Sequence, residues 1–331
     1  MSTIDLRTVS ITPLRQTFDH LAKRMGGDKP ASRYQEATFD IQPVENFQYR
    51  PTWAPEFEIF DASRSAIKMQ DWYALKDPRQ FYYGTYTLAR ARMQDTAEAD
   101  FEFVESRGLF DLYPAECREI ALKFYLPLRH VAWAANINNS AVAAYCYGNS
   151  FAQPALFACM DQLGIAQYLT RLGIAFGDTD ALASAKKAWL EGPEWQDLRR
   201  LTENSMVVED VFELFLAQNL VFDGLLFPLA YSHVENALTT RGGPLVSMLT
   251  RFQSEWFADN GKWVDATVKT AAAESEDNKA LLAKWTCYWR DRMAAALKPI
   301  AALALGDQAE GVMTEVVDQF NVRARKLGLP V

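Results

Sequence analysis

The side chains of this 331-residue chain that could do chemistry are few, and their spacing says more than their number. There are three histidines, His20, His130 and His233. A helix bundle that activates oxygen on a pair of irons draws one Glu from each of two helices and a Glu-x-x-His from each of two others. The i, i+3 spacing is needed because both side chains then leave one helix face and reach the same metals. Such iron requires carboxylate and imidazole donors. Here Pro127 stands three residues before His130 and Ala230 three before His233, while His20 falls in the N-terminal region. No Glu-x-x-His exists. The stretch Asp161-Gln162-Leu163-Gly164-Ile165 has the frame of Asp-Glu-x-x-His, with Gln162 for the Glu and Ile165 for the His. The sequence therefore predicts no catalytic residue, no metal ligands and no cofactor in this chain.

The other candidates have plainer readings. Cys117, Cys146, Cys159 and Cys287 form no C-x-x-C pair and read as buried free thiols of a reducing compartment. Gly242-Gly243 is a turn and not a phosphate cradle, since no strand precedes it. His130, beside Arg129 and after Pro127, reads as a hydrogen-bonded structural histidine, and His233, near Pro228, as structural or interfacial.

The elements that must carry these positions are long helices. One is predicted from Asp77, as N-cap with Pro78 at the first helical position, to Gly108, about 45 Å long. The next runs from Pro114 to Gly148 with a kink at Pro127. From Val131 to Phe151 it is nearly free of charge, and a helix apolar nearly all round is expected to be buried on all sides. Pro154 begins a third, to about Gly173. Asp178–Glu191 and Pro193–Glu203 read as short amphipathic helices. A fourth long helix spans about Met206 to Thr240, kinked at Pro228. Then come Leu245 to Ala258, a turn at Asn260-Gly261, a stretch to Ala273, and helices over Asn278–Leu305 and Asp307–Leu327. Pairing 114–147 with 154–173, and 206–240 with 244–259, across a longer excursion gives ferritin-like topology. The expected fold is all-α: a ferritin-like helical bundle over 76–331, behind an extended N-terminal arm over 1–75. In that arm Pro13, Pro30, Pro43, Pro51 and Pro55 break helices. Alternation at Phe39 and Ile41, and at Phe47 and Tyr49, permits short extended pieces. An arm without a core of its own must lie on the helical body or on another chain, with Phe47, Tyr49, Trp53, Phe57 and Phe60 as its contact residues.

Hydrophobic residues make up 49% of the chain, enough for a large core, and aromatics 13%, more than a core alone needs. With 34 basic and 42 acidic residues the net charge is −8, which argues against broad binding to nucleic acid or anionic membrane. The N-terminal MSTIDLRTVSITPLRQ has no secretion signal, and no run of about 18 uninterrupted apolar residues occurs. A soluble, cytoplasmic chain with no nucleic-acid or membrane partner is expected.

Leu128–Asn139, Met160–Tyr168 and Gln218–Leu225 resemble helices of the bacterial multicomponent monooxygenase hydroxylases, the family of phenol, toluene and methane monooxygenases. The likeness covers roughly residues 75–270. In its register Asn138 stands at the first lone Glu, and Gln162 with Ile165 at the first Glu-x-x-His. Leu214, with Glu213 beside it, stands at the second lone Glu, and Gln253 with Trp256 at the second Glu-x-x-His. The chain is most similar to the β subunit of a phenol hydroxylase, with the toluene monooxygenase β subunit close behind. That resemblance implies a non-catalytic β subunit, packed on a catalytic α subunit and a small γ subunit in an (αβγ)₂ complex. It implies di-iron in α only, an NADH-dependent reductase, a regulatory protein, and hydroxylation of phenol to catechol. Neutral Asn138, Gln162 and Gln253 are expected to hydrogen-bond one another, because unpaired buried charge is costly. Ile165 and Trp256 are expected to fill the volume of ligands and metals. The competing expectations are a free-standing helical protein with an apolar small-molecule pocket, and a stand-alone enzyme of other chemistry.

Overall fold

Apolar residues at helical spacing, cut by prolines and glycines, give an all-α chain. The computed structural model describes residues 13–42 and 50–331, and no strand occurs among them. Two short helices, α1 (Asp19–Met25) and α2 (Arg33–Thr38), lie in the arm. Ser32 and Gln35 cap α2 reciprocally. Leu21, Tyr34, Phe39 and Tyr73 form a small apolar cluster of their own, so the arm has a core that composition did not reveal. The arm is also tied to the body. Thr38 Oγ1 donates to Gln153 Oε1 at 3.0 Å, and the Gly148 N–H to Gln42 Oε1 at 2.9 Å. No strand forms at Phe39 and Ile41, while Phe47 and Tyr49 lie outside the described residues. Trp53 is 72% exposed, Phe57 packs under the Arg64 guanidinium, and Phe60 is half-buried.

Helix α3 (Tyr83–Ser106) begins later than predicted. Asp77 is not its N-cap: it is buried and holds Arg79 at 3.0 Å. Gln80 then adopts a left-handed backbone, φ 54°, which breaks a right-handed helix at that point. After the short α4 (Leu109–Leu112), Pro127 separates α5 (Ala115–Tyr125) from α6 (Leu128–Tyr145). Helix α7 (Asn149–Glu191) passes through Gly173 and is interrupted at Asp178, φ 58°. Gly173 serves packing instead of termination. A Cβ there would come within 2.4 Å of a Leu126 methyl, so only glycine lets α7 approach the Pro127 bend this closely.

Helix α8 (Gln196–Ser205) leads into α9 (Val211–Gly242). By length and composition α9 could cross a membrane, but its most apolar window is 94% buried inside the protein. It contains two π-helical stretches, Leu216–Phe222 and Leu229–Val234, on either side of Pro228. A short α10 (Leu245–Leu249) precedes α11 (Arg251–Glu274), which runs straight through Asn260-Gly261. The expected turn is overridden there: Asn260 is buried, and Arg79 Nη1 donates to its Oδ1 at 3.4 Å. The chain closes with α12 (Glu276–Leu305) and α13 (Ala309–Lys326). Helices α6, α7, α9 and α11 form the bundle, wrapped by α3, α12 and α13 around one continuous core. The α6–α7 pair is not buried on all sides. Trp133, Leu156 and Met160 stand half exposed along one flank.

Candidate functional site

The bundle helices bring most of the singled-out residues to the interior. Asn138 enters from α6, Gln162 and Ile165 from α7, Gln253 and Trp256 from α11, and each is 1% exposed or less. Asn138 Nδ2 donates to Ser205 Oγ at 2.8 Å and to Gln218 Oε1 at 2.9 Å. Gln218 Nε2 donates to Asp223 Oδ1 at 2.9 Å, and Gln162 Nε2 to Asp223 Oδ2 at 3.3 Å. A hydrogen-bonded chain, Asn138–Gln218–Asp223–Gln162, thus crosses α6, α9 and α7. The expected direct bonding among Asn138, Gln162 and Gln253 is not what forms. Gln218 and Asp223 join the first two, and neither amide atom of Gln253 has a hydrogen-bond partner among the described residues.

Leu214 takes no part in this hydrogen-bonded chain. It belongs to the apolar core, and its neighbour Glu213 accepts from Trp289 Nε1 at 2.9 Å, with burial raising its carboxyl above the usual range. The side chains that α9 sends to meet Asn138 and Gln162 come later, where the helix widens into its first π stretch.

Asp223 is wholly buried. Burial pushes its carboxyl up to about 8, against the amide donors Gln218 and Gln162 and the charge of Arg323. It is neutral at pH 7. Beside it lies a gap of about 10 Å³, bounded by Gln162, Ile165, Leu226, Phe227 and Tyr231, with room for about one water. Ile165 lines this gap, and Trp256 lies behind Phe227. Trp256 packs on Phe227, and its Nε1 donates to Asp161 Oδ2 at 2.8 Å.

Asp161 anchors a second, charged cluster on the side toward α3. Arg90 meets it with two bonds of 2.9 Å, and Tyr86 Oη donates to it at 2.9 Å. Asp259 bridges Arg90 at 3.2 Å and Arg79 at 3.4 Å, and Arg79 closes on Asp77. Sequence reasoning missed this cluster, and it missed Asp223. The available signal for Asp223 was a handful of polar residues, Gln218, Asn219 and Asp223, inside an otherwise apolar α9; buried polar groups need partners.

These residues do not fit a di-iron pair. The linked centre offers one carboxyl group, already protonated, and no imidazole. Among the described residues no three His, Cys, Asp or Glu side chains gather as a metal would need. His130 is not hydrogen-bonded through Nε2 among the described residues; it stacks on Trp189 at 5.6 Å. Burial, with Arg129 and Lys186 nearby, pushes it down to about 4, so it is neutral. His233 is half-buried on α9, and His20 stacks on Phe18 in the arm. Cys117, Cys146 and Cys159 are buried and Cys287 partly exposed, all as free thiols. A hollow of about 710 Å³ lies at the surface between α12 and α13, beside Lys298, Gly306 and Met313, and not at the bundle centre.

The sequence profile of the methane/phenol/alkene hydroxylase family matches residues 53–275. The chain is 45% identical to the oxygenase component DmpL of phenol 2-monooxygenase from Pseudomonas sp. strain CF600, over 98% of each chain. It is 24% identical to the hydroxylase component subunit beta of the toluene-4-monooxygenase system of Ectopseudomonas mendocina, over 70% of this chain and 73% of that one. Its fold matches a chain in the crystal structure of xenon-pressurized phenol hydroxylase from Pseudomonas sp. OX1. The TM-score is 0.92 at 41% identity, and 98% of each chain is covered.

Proposed function

The chain belongs to the methane/phenol/alkene hydroxylase family, and from that premise we propose that it is the β subunit of the hydroxylase component of a phenol monooxygenase, with no active site of its own. Full-length identity of 45% to a phenol 2-monooxygenase component, against 24% to a toluene monooxygenase subunit, supports the phenol branch. The observation that carries the non-catalytic role is the bundle centre. Where a metal pair would need several carboxylates and two imidazoles, this chain has a neutral hydrogen-bonded chain with a single protonated carboxyl, that of Asp223.

On this reading the chain supplies architecture. A carboxylate cluster without metal would be a buried, repulsive set of charges. Amides and one neutral acid cross-link the helices without needing an ion. The rigid bundle then supports a catalytic α subunit that holds di-iron and hydroxylates phenol to catechol. A small γ subunit completes an (αβγ)₂ complex, on which a regulatory protein and a reductase dock. The complex works in the cytoplasm, a reducing compartment that suits the free thiols.

The test is co-purification of the tagged chain from its host at moderate salt, followed by iron analysis of each separated chain. A larger chain should come down in equal amount and carry the iron. Stoichiometric iron in this chain, or a chain that purifies alone as a soluble monomer, overturns the proposal.

A further inference from the structure

The outer face of α13 carries charge of one sign, and nothing in the chain answers it. From Gly306 to Val322 there is no basic residue, while Asp307, Glu310, Glu315 and Asp318 are all exposed. None of the four stands in an ion pair among the described residues; Glu315 only accepts from Gln319 Nε2 at 2.9 Å. Exposed helix faces ordinarily mix signs at i, i+4, as Glu119 with Lys123 and Arg199 with Glu203 do elsewhere in this chain. The helix dipole accounts for Glu310 in the first turn. Its pull fades within that turn, and Glu315 and Asp318 lie in the second and third.

The relief beneath these charges is that of a helix-packing face. Glu310, Thr314 and Asp318 form one i, i+4 ridge. A helix turns about 100° per residue, so Met313 and Val317 fall to one side of that ridge, and Gly311, Glu315 and Val322 to the other. A hollow lies on each side. The first, of about 710 Å³, runs between the ridge and Ala294, Lys298 and Ala302 of α12, with Met313 and Val317 in its floor. The second, of about 480 Å³, lies beside Gly311, Glu315 and Val322. Thr314 and Asp318 border both. Two helices pack by seating the ridges of one in the grooves of the other. A single ridge between two hollows therefore accepts two neighbouring ridges of an incoming helix, whereas a small ligand would need only one of the hollows. Ala294, Ala302 and Gly311 keep the walls low where the two backbones come close.

We propose that this face is a docking site for a helix of a separate protein, one with small apolar residues along its contact seam and Lys or Arg on both flanks. The flanking cations follow from the acids. Glu310 and Asp318 stand on the ridge, Glu315 beside the second hollow and Asp307 at the end of the first. Lys298 is the single cation lining the larger hollow, and it too makes no ion pair among the described residues. One acidic residue of the incoming helix meets it and fixes that helix's direction. The contact is small and led by charge, so the partner is transient and the face is open in the purified protein. The inference goes beyond the β-subunit reading and does not depend on it: α12 and α13 pack on α9, α11 and each other, whatever chains lie elsewhere.

The protein is purified from its host with whatever chains accompany it, and a fluorescein-labelled synthetic helix is titrated into it. The peptide carries Ala and Leu on one face, Lys on both flanks and one Glu; a twin peptide has Glu in place of every Lys. Fluorescence anisotropy should show binding of the Lys peptide only, weakening as salt rises. Ala302→Trp, which fills the larger hollow without changing charge, should weaken binding by about tenfold or more, and so should Glu315→Lys combined with Asp318→Lys. Glu209→Lys combined with Asp277→Lys is an equal change of charge at exposed positions away from both hollows, and it should leave binding near the wild-type level. No binding by the wild type, equal binding of the two peptides, or a remote pair that weakens binding as much as the α13 pair overturns the inference. So does unchanged binding by Ala302→Trp. Should that variant fail to fold, the α13 charge pair, which alters no buried residue, decides alone.

Discussion

Asp161 and Gln162 are neighbours on α7, and the protein treats them in opposite ways. Asp161 looks toward α3, where Arg90, Tyr86 and Trp256 meet both of its oxygens. Gln162 looks into the bundle, where among the described residues no cation bonds to the centre and Arg323 acts on it only from a distance. The one acid it meets, Asp223, gives up its charge instead. The buried carboxylates of this cluster, Asp77 and Asp161, are each paired with a guanidinium, from Arg79 just before α3 and from Arg90 on it. At the centre the same need for cohesion is met by amides and a proton. The two clusters therefore fail differently when a member is removed.

The largest effect belongs to the charged cluster. Asp161→Ala leaves Arg90 with Asp259 alone and deprives Trp256 of its acceptor. Breaking a buried pair from one side costs about 3–5 kcal/mol. The loss should appear as a lowered urea midpoint for this chain within the purified hydroxylase, and a loss below about 1 kcal/mol would mean that the cluster is screened by solvent.

Next comes the proton on Asp223. An unfolded chain releases it near the ordinary value of 3.8, while the folded chain keeps it to about 8. Between those values the folded state binds more protons, so the group's contribution makes stability fall as pH rises. It levels off above about 8 and is absent below about 4. Asp223→Asn keeps a neutral polar group and should flatten that slope, leaving the variant the more stable form at pH 8 by a few kcal/mol at most. Urea midpoints taken across pH 5 to 8 would decide, and parallel slopes for wild type and variant would show that Asp223 does not hold the proton.

The smallest effect separates members of the same centre. Gln253 is buried with both amide atoms unpartnered among the described residues, so Gln253→Leu removes polar atoms that gain nothing there. Stability should stay level or rise by about 1 kcal/mol. A clear loss in the same urea assay would place Gln253 in the hydrogen-bonded chain after all.

The helices were legible where a single residue type acts locally. Pro127 was expected to bend the chain and divides α5 from α6. They were misread where a distant partner decides. Asp77 looks like an N-cap and is instead held by Arg79; Asn260-Gly261 looks like a turn and is instead pinned inside α11. At the site, loss of the ligand types could be read from residue identity alone, because Asn, Gln, Ile and Trp cannot replace carboxylate and imidazole at iron. What replaces them could not. Asp223 and Gln218 are distant in sequence from Asn138 and Gln162, and only the packing of α6, α7 and α9 makes them partners.

The two widened stretches of α9 have a practical corollary for anyone wishing to rewrite this helix. In an unbroken α-helix, positions three and four apart share a face, so a ligand pair can be laid out by counting. Each π stretch takes up extra residue in its turn, so the count slips once before Pro228 and again after it. A Glu drafted onto α9 at uniform intervals from Val211 would aim away from the bundle axis by the time it passed Val234. Grafting a metal-binding pattern here would require either keeping both widened turns and spacing around them, or deleting a residue at each to straighten the rod.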